Sequence, residues 1–283
     1  MGGQAPVPLT REQLATLGHW FLPERPGPLI AQHVIATGFG SSLADRWPGP
    51  RALVVETGGN YTLAGDPGAL DPEGLRGLVA GFVEAPAGFE PLLAAAVGEL
   101  HEWPRVILAL DGPRRPAPAP GGGHRVRRLG PGDTGSLAGL GEETGWIANS
   151  WGGPEGLAAS GTAWGAFQGS RLAAVACPFF VGTVYEDVGV ATEPGSRGQG
   201  LSTACAGAVC QDVRDRGHVP SWTTSPDNTA SLRVAAKLGF TLRRRDRLLV
   251  AGVPVPQPQG RVTPGGGRTR TGRSGRRTGR RRP

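Results

Sequence analysis

A short glycine-rich stretch, "ATEPGSRGQGLST" at residues 191–203, constrains the fold of this chain more than any other feature. The preceding residues 184–192 resemble a strand, and apolar residues recur at helical spacing from Leu201 to Arg216. A strand that passes through glycines into a helix directs free backbone N–H groups and the positive end of the helix at one place, where phosphate binds. The alternative is a surface turn, because the chain has 48 glycines and glycine motifs alone are weak signals.

The elements predicted around this stretch give a mixed order of strands and helices. Leu201–Arg216 has an apolar face rich in Ala and Cys, which suits close packing on a sheet. Asp227 or Asn228 is a candidate N-cap for a later helix, which Gly239 ends. The second half is predicted, in order, as a strand (124–129), helices (131–141 and 154–160), a hairpin (162–180, turning at Gly169-Ser170), a strand (184–192), a helix (201–216), a strand (218–224), a helix (229–238) and a strand (240–252).

The first half is also mixed, but it has no glycine cradle of its own. Two strands flank Gly58-Gly59 and predict a hairpin. Helical patterns cover 9–22 and 28–38 and recur near 70–81 and 89–100, and residues 104–110 form a short apolar strand. The fold class predicted for the chain is therefore α/β (α+β), with a smaller α/β domain at the N-terminus.

Two segments of biased composition divide the chain. "GPRRPAPAPGGG" (112–123) has no large apolar residue and is expected to be a linker between domains at 1–111 and 124–251. Residues 252–283 form a low-complexity tail, expected to be disordered, with nine arginines and no acidic residue. The net charge of +7 arises in this tail, because the other 21 basic and 23 acidic residues leave −2. The tail is either a site for nucleic acid or an acidic partner, or an extension without function.

The remaining composition favours a cytoplasmic protein. The N-terminal residues have no signal-peptide pattern, and no apolar run is long enough to span a membrane. The three cysteines (Cys177, Cys205 and Cys210) lack the spacing of metal ligands and are expected to be reduced and buried, so no metal is predicted.

Two motifs resemble those of the GNAT superfamily of acyl-CoA N-acyltransferases. "VATEPGSRGQGLS" resembles its Arg-x-x-Gly-x-Gly/Ala pyrophosphate loop, with Arg197, Gly200 and Ser202 at the motif positions. "SPDNTASLRVAAKLGF" resembles its later Asn-led helix, with Asn228 first and Gly239-Phe240 at the end. The order of elements from 124 to 250 also matches the family. The first half resembles, more weakly, the N-terminal region of a two-part subgroup.

This resemblance implies an N-acetyltransferase that moves the acetyl group of acetyl-CoA to a primary amine of a small molecule or peptide. It implies a central mixed sheet flanked by helices, in which the donor lies between the splayed fourth and fifth strands. The implied donor contacts are Val190, Ala191, Thr192, Arg197, Gly198, Gln199, Gly200, Leu201, Ser202 and Asn228. The alternatives are a non-catalytic acyl-CoA-binding or sensor module, and a nucleic-acid-associated protein that acts through the tail.

The catalytic groups are less clearly marked. Glu186 and Asp187 point to opposite faces of a strand, and Glu186 is the favoured proton acceptor; the alternative is an exposed carboxylate without this role. The family often has a tyrosine acid where this chain has Ala235. Tyr185 or Ser231 is a substitute, or the thiolate leaves without an acid, because thiol pKa values lie near 8.5. Three tryptophans are candidates for lining the acceptor site, with core packing as the alternative: Trp146, Trp151 and Trp222.

Overall fold

The structure is a computed structural model that describes residues 6–113, 116, 119 and 123–256. Most of the predicted basic tail, residues 257–283, lies outside the described residues, as do 114–115, 117–118 and 120–122 of the predicted linker. Within the described ranges, no helix is both long enough and apolar enough to cross a bilayer.

Both halves of the chain follow the same order of elements: a strand, two helices, three strands, a helix, a strand, a helix and a last strand. The first half contains β1 (Val7–Pro8), α1 (Arg11–Thr16), α2 (Ile30–Thr37), β2 (Ser41–Ala44), β3 (Ala52–Thr57), β4 (Asn60–Gly65), α3 (Pro72–Leu75), β5 (Gly81–Glu84), α4 (Glu90–Val97) and β6 (Leu100–Ala109). The second half contains β7 (Arg125–Arg128), α5 (Thr134–Ala138), α6 (Pro154–Ser160), β8 (Trp164–Gln168), β9 (Arg171–Val181), β10 (Tyr185–Thr192), α7 (Leu201–Asp215), β11 (Val219–Thr224), α8 (Thr229–Leu238) and β12 (Thr241–Ala251).

The strands form one 12-stranded sheet in the order β1-β2-β3-β4-β5-β12-β6-β11-β10-β9-β8-β7. If each strand of the first half is exchanged for its counterpart in the second half (β1 for β7, and so on to β6 for β12), the same order is obtained from the opposite edge. The two halves are therefore related by a pseudo-twofold axis. At the centre, β12 lies between β5 and β6, and β6 lies between β12 and β11. Each half therefore completes its part of the sheet with the last strand of the other half.

The helices cover both faces of the sheet, since alternate strand residues point to opposite sides. On the back face, Val188 and Val54 belong to cores that include α7 with α8 and α3 with α4, respectively. On the front face, Ala191 packs with α5 and α6, and Val55 packs with α1 and α2. Helix α2 contacts both β3 and β9, which are seven places apart in the sheet. The front face is therefore concave, and the central strands form its floor.

Most predicted elements are confirmed. The hairpin at Gly58-Gly59 is β3–β4, and α8 is capped by the Asn228 side chain and ends at Gly239 in the left-handed conformation. The three cysteines are free and buried, as expected. The helix predicted over 70–81 was wrong beyond Leu75, because Gly77 takes a positive φ and the chain then forms β5 between β4 and β12.

Candidate functional site

Strands β10 and β11 run parallel and separate part-way along their length. Tyr185–Asp187 of β10 pair with Val219–Ser221 of β11. Beyond these residues, β10 continues to pair only with β9, and β11 continues to pair only with β6. Within the described chain, no strand pairs with the β11-facing edge of residues 188–192. A wedge-shaped gap therefore opens after Asp187, with backbone hydrogen-bonding groups along one side.

The glycine-rich loop lies at the open end of this gap, between β10 and α7. Gly198 and Gly200 both have φ of +78°, a conformation that other residues rarely adopt. A Cβ atom built on either glycine meets no atom within 4 Å, so backbone conformation rather than crowding requires glycine here. Gly198, Gln199 and Gly200 are exposed, which leaves the loop accessible to a ligand.

Helix α7 begins directly after this loop, and no side chain in the described residues caps its N-terminus. The N–H groups of Leu201, Ser202 and Thr203 belong to the first turn, where a helix offers no carbonyl partner. The Ser202 hydroxyl lies 2.7 Å from that of Thr192 and so joins the end of β10 to the start of the helix. A 15-residue helix with an uncapped N-terminus beside an accessible loop is suited to binding an anion.

The other predicted donor contacts lie around the gap. Val190 is half-buried and packs on the back-face core, whereas Ala191 is buried on the front. Arg197 pairs with Glu143 at 2.6 Å, and its Nε donates to the Thr192 carbonyl at 3.3 Å. Asn228 follows β11 and accepts a hydrogen bond from the Ser231 N–H at 3.1 Å.

Glu186 lies on the back face and is 1% exposed. Its carboxylate accepts hydrogen bonds from Arg216 Nη2 at 2.6 Å and Arg216 Nε at 3.2 Å, and it lies 2.8 Å from His218 Nδ1. Both oxygens are therefore engaged at the C-terminal end of α7. This geometry assigns Glu186 an ion pair that ties α7 to the sheet, and it does not support the predicted role as proton acceptor.

Asp187 lies on the opposite, front face, at the point where the two strands diverge. Its Oδ1 accepts hydrogen bonds from the Ser221 hydroxyl at 2.9 Å and the Thr223 hydroxyl at 3.0 Å. Burial raises the pKa of Asp187 to about 7, although these hydrogen bonds and the charges of Arg105 and Arg244 act to lower it. A carboxyl group with a pKa near neutrality exchanges protons readily at physiological pH.

The three predicted tryptophans have different surroundings. Trp146 is 38% exposed and packs edge-on against Phe179, with ring centroids 5.5 Å apart. Trp151 is buried and donates to the Pro178 carbonyl at 2.9 Å. Trp222 is buried in the back-face core and donates to the Ser231 hydroxyl at 2.9 Å. Of the three, only Trp146 combines exposure with a place beside the front of the sheet.

Sequence reasoning missed the residues around Asp187. Ser221 and Thr223 alternate with Trp222 along β11, so the strand period alone could have placed them on one face. Arg105 precedes an apolar run in β6, and that contrast was the available signal. Its position near Asp187 depends on the exchange of last strands between the halves, which no local pattern reveals.

The split sheet and the uncapped helix are suited to an extended ligand with an anionic end. The family model for GNAT acetyltransferases matches residues 142–247, which include the gap, the loop and α8. An uncharacterized N-acetyltransferase in the mutA 5′ region of Streptomyces virginiae is 43% identical over 214 residues, covering 75% of this chain and 90% of that protein. The chain therefore belongs to the GNAT family of acetyltransferases.

Two solved structures share the fold over most of the chain. A GCN5-related N-acetyltransferase-like protein from Streptococcus suis is 16% identical, with a TM-score of 0.65 over 86% of this chain and 100% of that chain. A tandem GNAT protein from the clavulanic acid biosynthesis pathway is also 16% identical, with a TM-score of 0.52 over 89% of this chain and 99% of that chain. At this level of identity the likeness concerns the fold alone.

Proposed function

We propose that this protein is an acetyl-CoA-dependent N-acetyltransferase that acts on a primary amine of a small molecule or a peptide. The observation that carries the proposal is the gap between β10 and β11, which opens toward the uncapped N-terminus of α7. Membership of the GNAT family supports the same reaction class.

The residues present fit this donor. The N–H groups of residues 198–203 suit the pyrophosphate, because the loop is exposed and the helix end is positive. The free edge of residues 188–192, which includes Val190, Ala191 and Thr192, suits the amides of the pantetheine arm. Arg197 adds a positive charge beside the loop, and Asn228 lies next to the end of β11.

Asp187, rather than Glu186, is our candidate for the proton acceptor. A donor that runs down the gap ends where the strands diverge, and Asp187 lies there on the concave face. The amine nitrogen forms a bond to the thioester carbonyl carbon, the carbon–sulfur bond breaks, and the amine proton passes to Asp187. Protonation of the departing thiolate gives free CoA and leaves the N-acetylated amine.

Of the two side chains predicted as the acid for the thiolate, Tyr185 is the one on the face of Asp187. Tyr185 is two residues earlier on β10 and therefore shares that face. The Ser231 hydroxyl instead accepts a hydrogen bond from Trp222, whose ring lies in the back-face core. We therefore favour Tyr185 over Ser231, with unassisted departure as the alternative, because thiol pKa values lie near 8.5.

One observation favours a second candidate, a non-catalytic acyl-CoA-binding module. Ala235, at the position where the family often has a tyrosine acid, is buried in the back-face core and offers no proton. Both candidates bind acetyl-CoA, but only the enzyme releases free thiol when an amine is added. Thiol release in the presence of a primary amine therefore separates them.

Calorimetric titration of acetyl-CoA tests the anion site directly. We expect Gly200→Glu to abolish binding, because a carboxylate at the start of α7 repels the pyrophosphate. Gly217→Glu is the matched control, since Gly217 follows α7, also has a positive φ (+85°) and has open space around a Cβ atom. Equal binding by parent and both variants would contradict the proposed cradle, and no binding by the parent would remove the donor from the proposal.

A further inference from the structure

A small cleft lies on the concave front face, where strands of the two halves alternate. The cleft is shallow, and its wall includes residues from β5, β12, β6 and β11. The first half of the chain contributes to it through Glu84 and Arg105.

Arg105 is the unusual group in this cleft. Its guanidinium carbon lies 4.1 Å from the centre of the Trp103 ring, and Nη2 donates to the Thr223 carbonyl at 3.2 Å. Its Nε is buried and has no hydrogen-bond partner among the described residues. Burial lowers the pKa of Arg105 to about 10, against the charges of Asp187 and Asp227, but the group remains a cation at neutral pH. A desolvated cation with an unused donor is a site for an anion.

Asp246 and Arg247, two other charged residues of the cleft wall, already have hydrogen-bond partners within the protein. Asp246 accepts from Arg244 Nε at 2.8 Å and from the Arg247 N–H at 2.9 Å. Arg247 donates to Glu90 and Glu102, each at 2.5 Å. Glu84 has no such pair within the described part of the chain, and burial raises its pKa to about 7. The acidic wall attracts an amine and disfavours a dianion such as phosphate, so a ligand anion on Arg105 is best matched by a carboxylate.

Thr223 connects this cleft to the candidate proton acceptor. Its carbonyl accepts from Arg105 and its hydroxyl donates to Asp187 at 3.0 Å, so one residue contacts both groups. Arg105 is on β6 and Asp187 is on β10, with β11 between them. A ligand held by Arg105 therefore lies on the same face as Asp187, across one intervening strand. The position suits an acceptor whose amine approaches Asp187 while another part of it binds Arg105.

We infer that the acceptor is a small amine that also carries a carboxylate, with Arg105 binding the carboxylate and the amine directed toward Asp187. The inference rests on the proposed N-acetyltransferase function. It makes Arg105, a residue of the first half, a specificity determinant for a reaction carried out on the second half.

The test is thiol release from acetyl-CoA with amino carboxylates, each compared with its own methyl ester. The probes are the proteinogenic amino acids, β-alanine and 4-aminobutyrate. In the parent, we expect kcat/KM for the favoured free acid to exceed that for its ester by about 10- to 100-fold, the worth of one charge-assisted hydrogen bond. In Arg105→Met the ratio falls to about one, whereas Arg105→Lys retains part of it.

The control is Arg243→Met, because Arg243 pairs with Asp111 and is not part of the cleft wall. It should keep the parent ratio, and calorimetry with acetyl-CoA shows that each variant is folded. Thiol release without preference for the free acids, or a ratio unchanged in Arg105→Met, would overturn the inference and leave the proposed function standing. No thiol release with any of these acids or esters would also overturn the inference, and thiol release with other primary amines then tests the proposed function separately.

Discussion

His33 provides a direct test of how the two halves are held together. Its side chain is fully buried on α2, Nδ1 accepts from the Val181 N–H at 3.1 Å, and Nε2 lies 2.8 Å from the Ser150 carbonyl. A backbone N–H can only donate, so Nδ1 carries no proton and Nε2–H donates to Ser150. The hydrogen bond from Val181 therefore requires the neutral imidazole, and both hydrogen bonds join the first half to the second.

The size of the effect follows from the pKa. Burial lowers the pKa of His33 from 6.5 to about 4, with the Ser150 hydrogen bond acting in the other direction. Because the folded pKa lies below the unfolded one, the unfolded chain binds the proton first and stability is lost as the pH falls below 6.5. Each pH unit in that window is worth about 1.4 kcal/mol, so the loss reaches about 2 kcal/mol at pH 5.

The assay is chemical denaturation of the full chain and of His33→Gln at pH 5, 6 and 7.5. Asp187 and Glu84, whose pKa values are raised, make the opposite contribution to the pH dependence, but they are present in both proteins and cancel in the difference. We expect the stability advantage of the parent over His33→Gln to shrink by about 2 kcal/mol from pH 7.5 to pH 5. An advantage that stays constant or grows on acidification would refute the assigned protonation state of His33.

Three further predictions concern two carboxylates of the second half and the number of donor sites. Asp187→Asn should lower kcat/KM by about 10²- to 10⁴-fold and remove a rise in activity centred near pH 7, with acetyl-CoA affinity measured by calorimetry unchanged. Glu186→Gln should instead destabilise the fold by about 1.5–3 kcal/mol in denaturant titrations, because it removes one of the two carboxylates that pair with Arg216, the other being Asp212; a selective loss of turnover would restore Glu186 as the base. Calorimetry should give one acetyl-CoA per chain, because the matching turns of the first half are capped by Asp66 and Asp71 and α3 has only four residues; two sites would contradict this.

Local patterns in the sequence were sufficient for the second half. Helical spacing from Leu201 and the cap and stop residues of α8 are short-range signals, and the structure follows them. The glycine loop was also recognisable, because positive φ at Gly198 and Gly200 is a local requirement. The duplication of the fold was indicated only by the weak resemblance of the first half to a two-part subgroup, since the halves share an order of elements without a visible sequence repeat.

The choice of site residues depends on contacts between distant segments. The choice between Glu186 and Asp187 depends on the position of Arg216, which lies beyond the end of α7 and occupies one carboxylate. Arg105 lies near Asp187 only because β6 is placed beside β11. Such long-range pairings decide which face of a strand meets solvent, a partner or a ligand, and period-2 alternation leaves that choice open.

The exchange of last strands also sets the order in which the sheet can be completed as the chain leaves the ribosome. When the first half has been synthesised, β5 and β6 are present, but the place between them is reserved for β12, which is made about 140 residues later than β6. An edge of β5 therefore remains open during translation of the whole second half, and the central pairing closes only when residue 251 has emerged. A chain whose synthesis stops within β12 would contain nearly all residues of the donor gap but would lack the strand at the centre of the sheet. Completion of the whole fold therefore depends on its last strand.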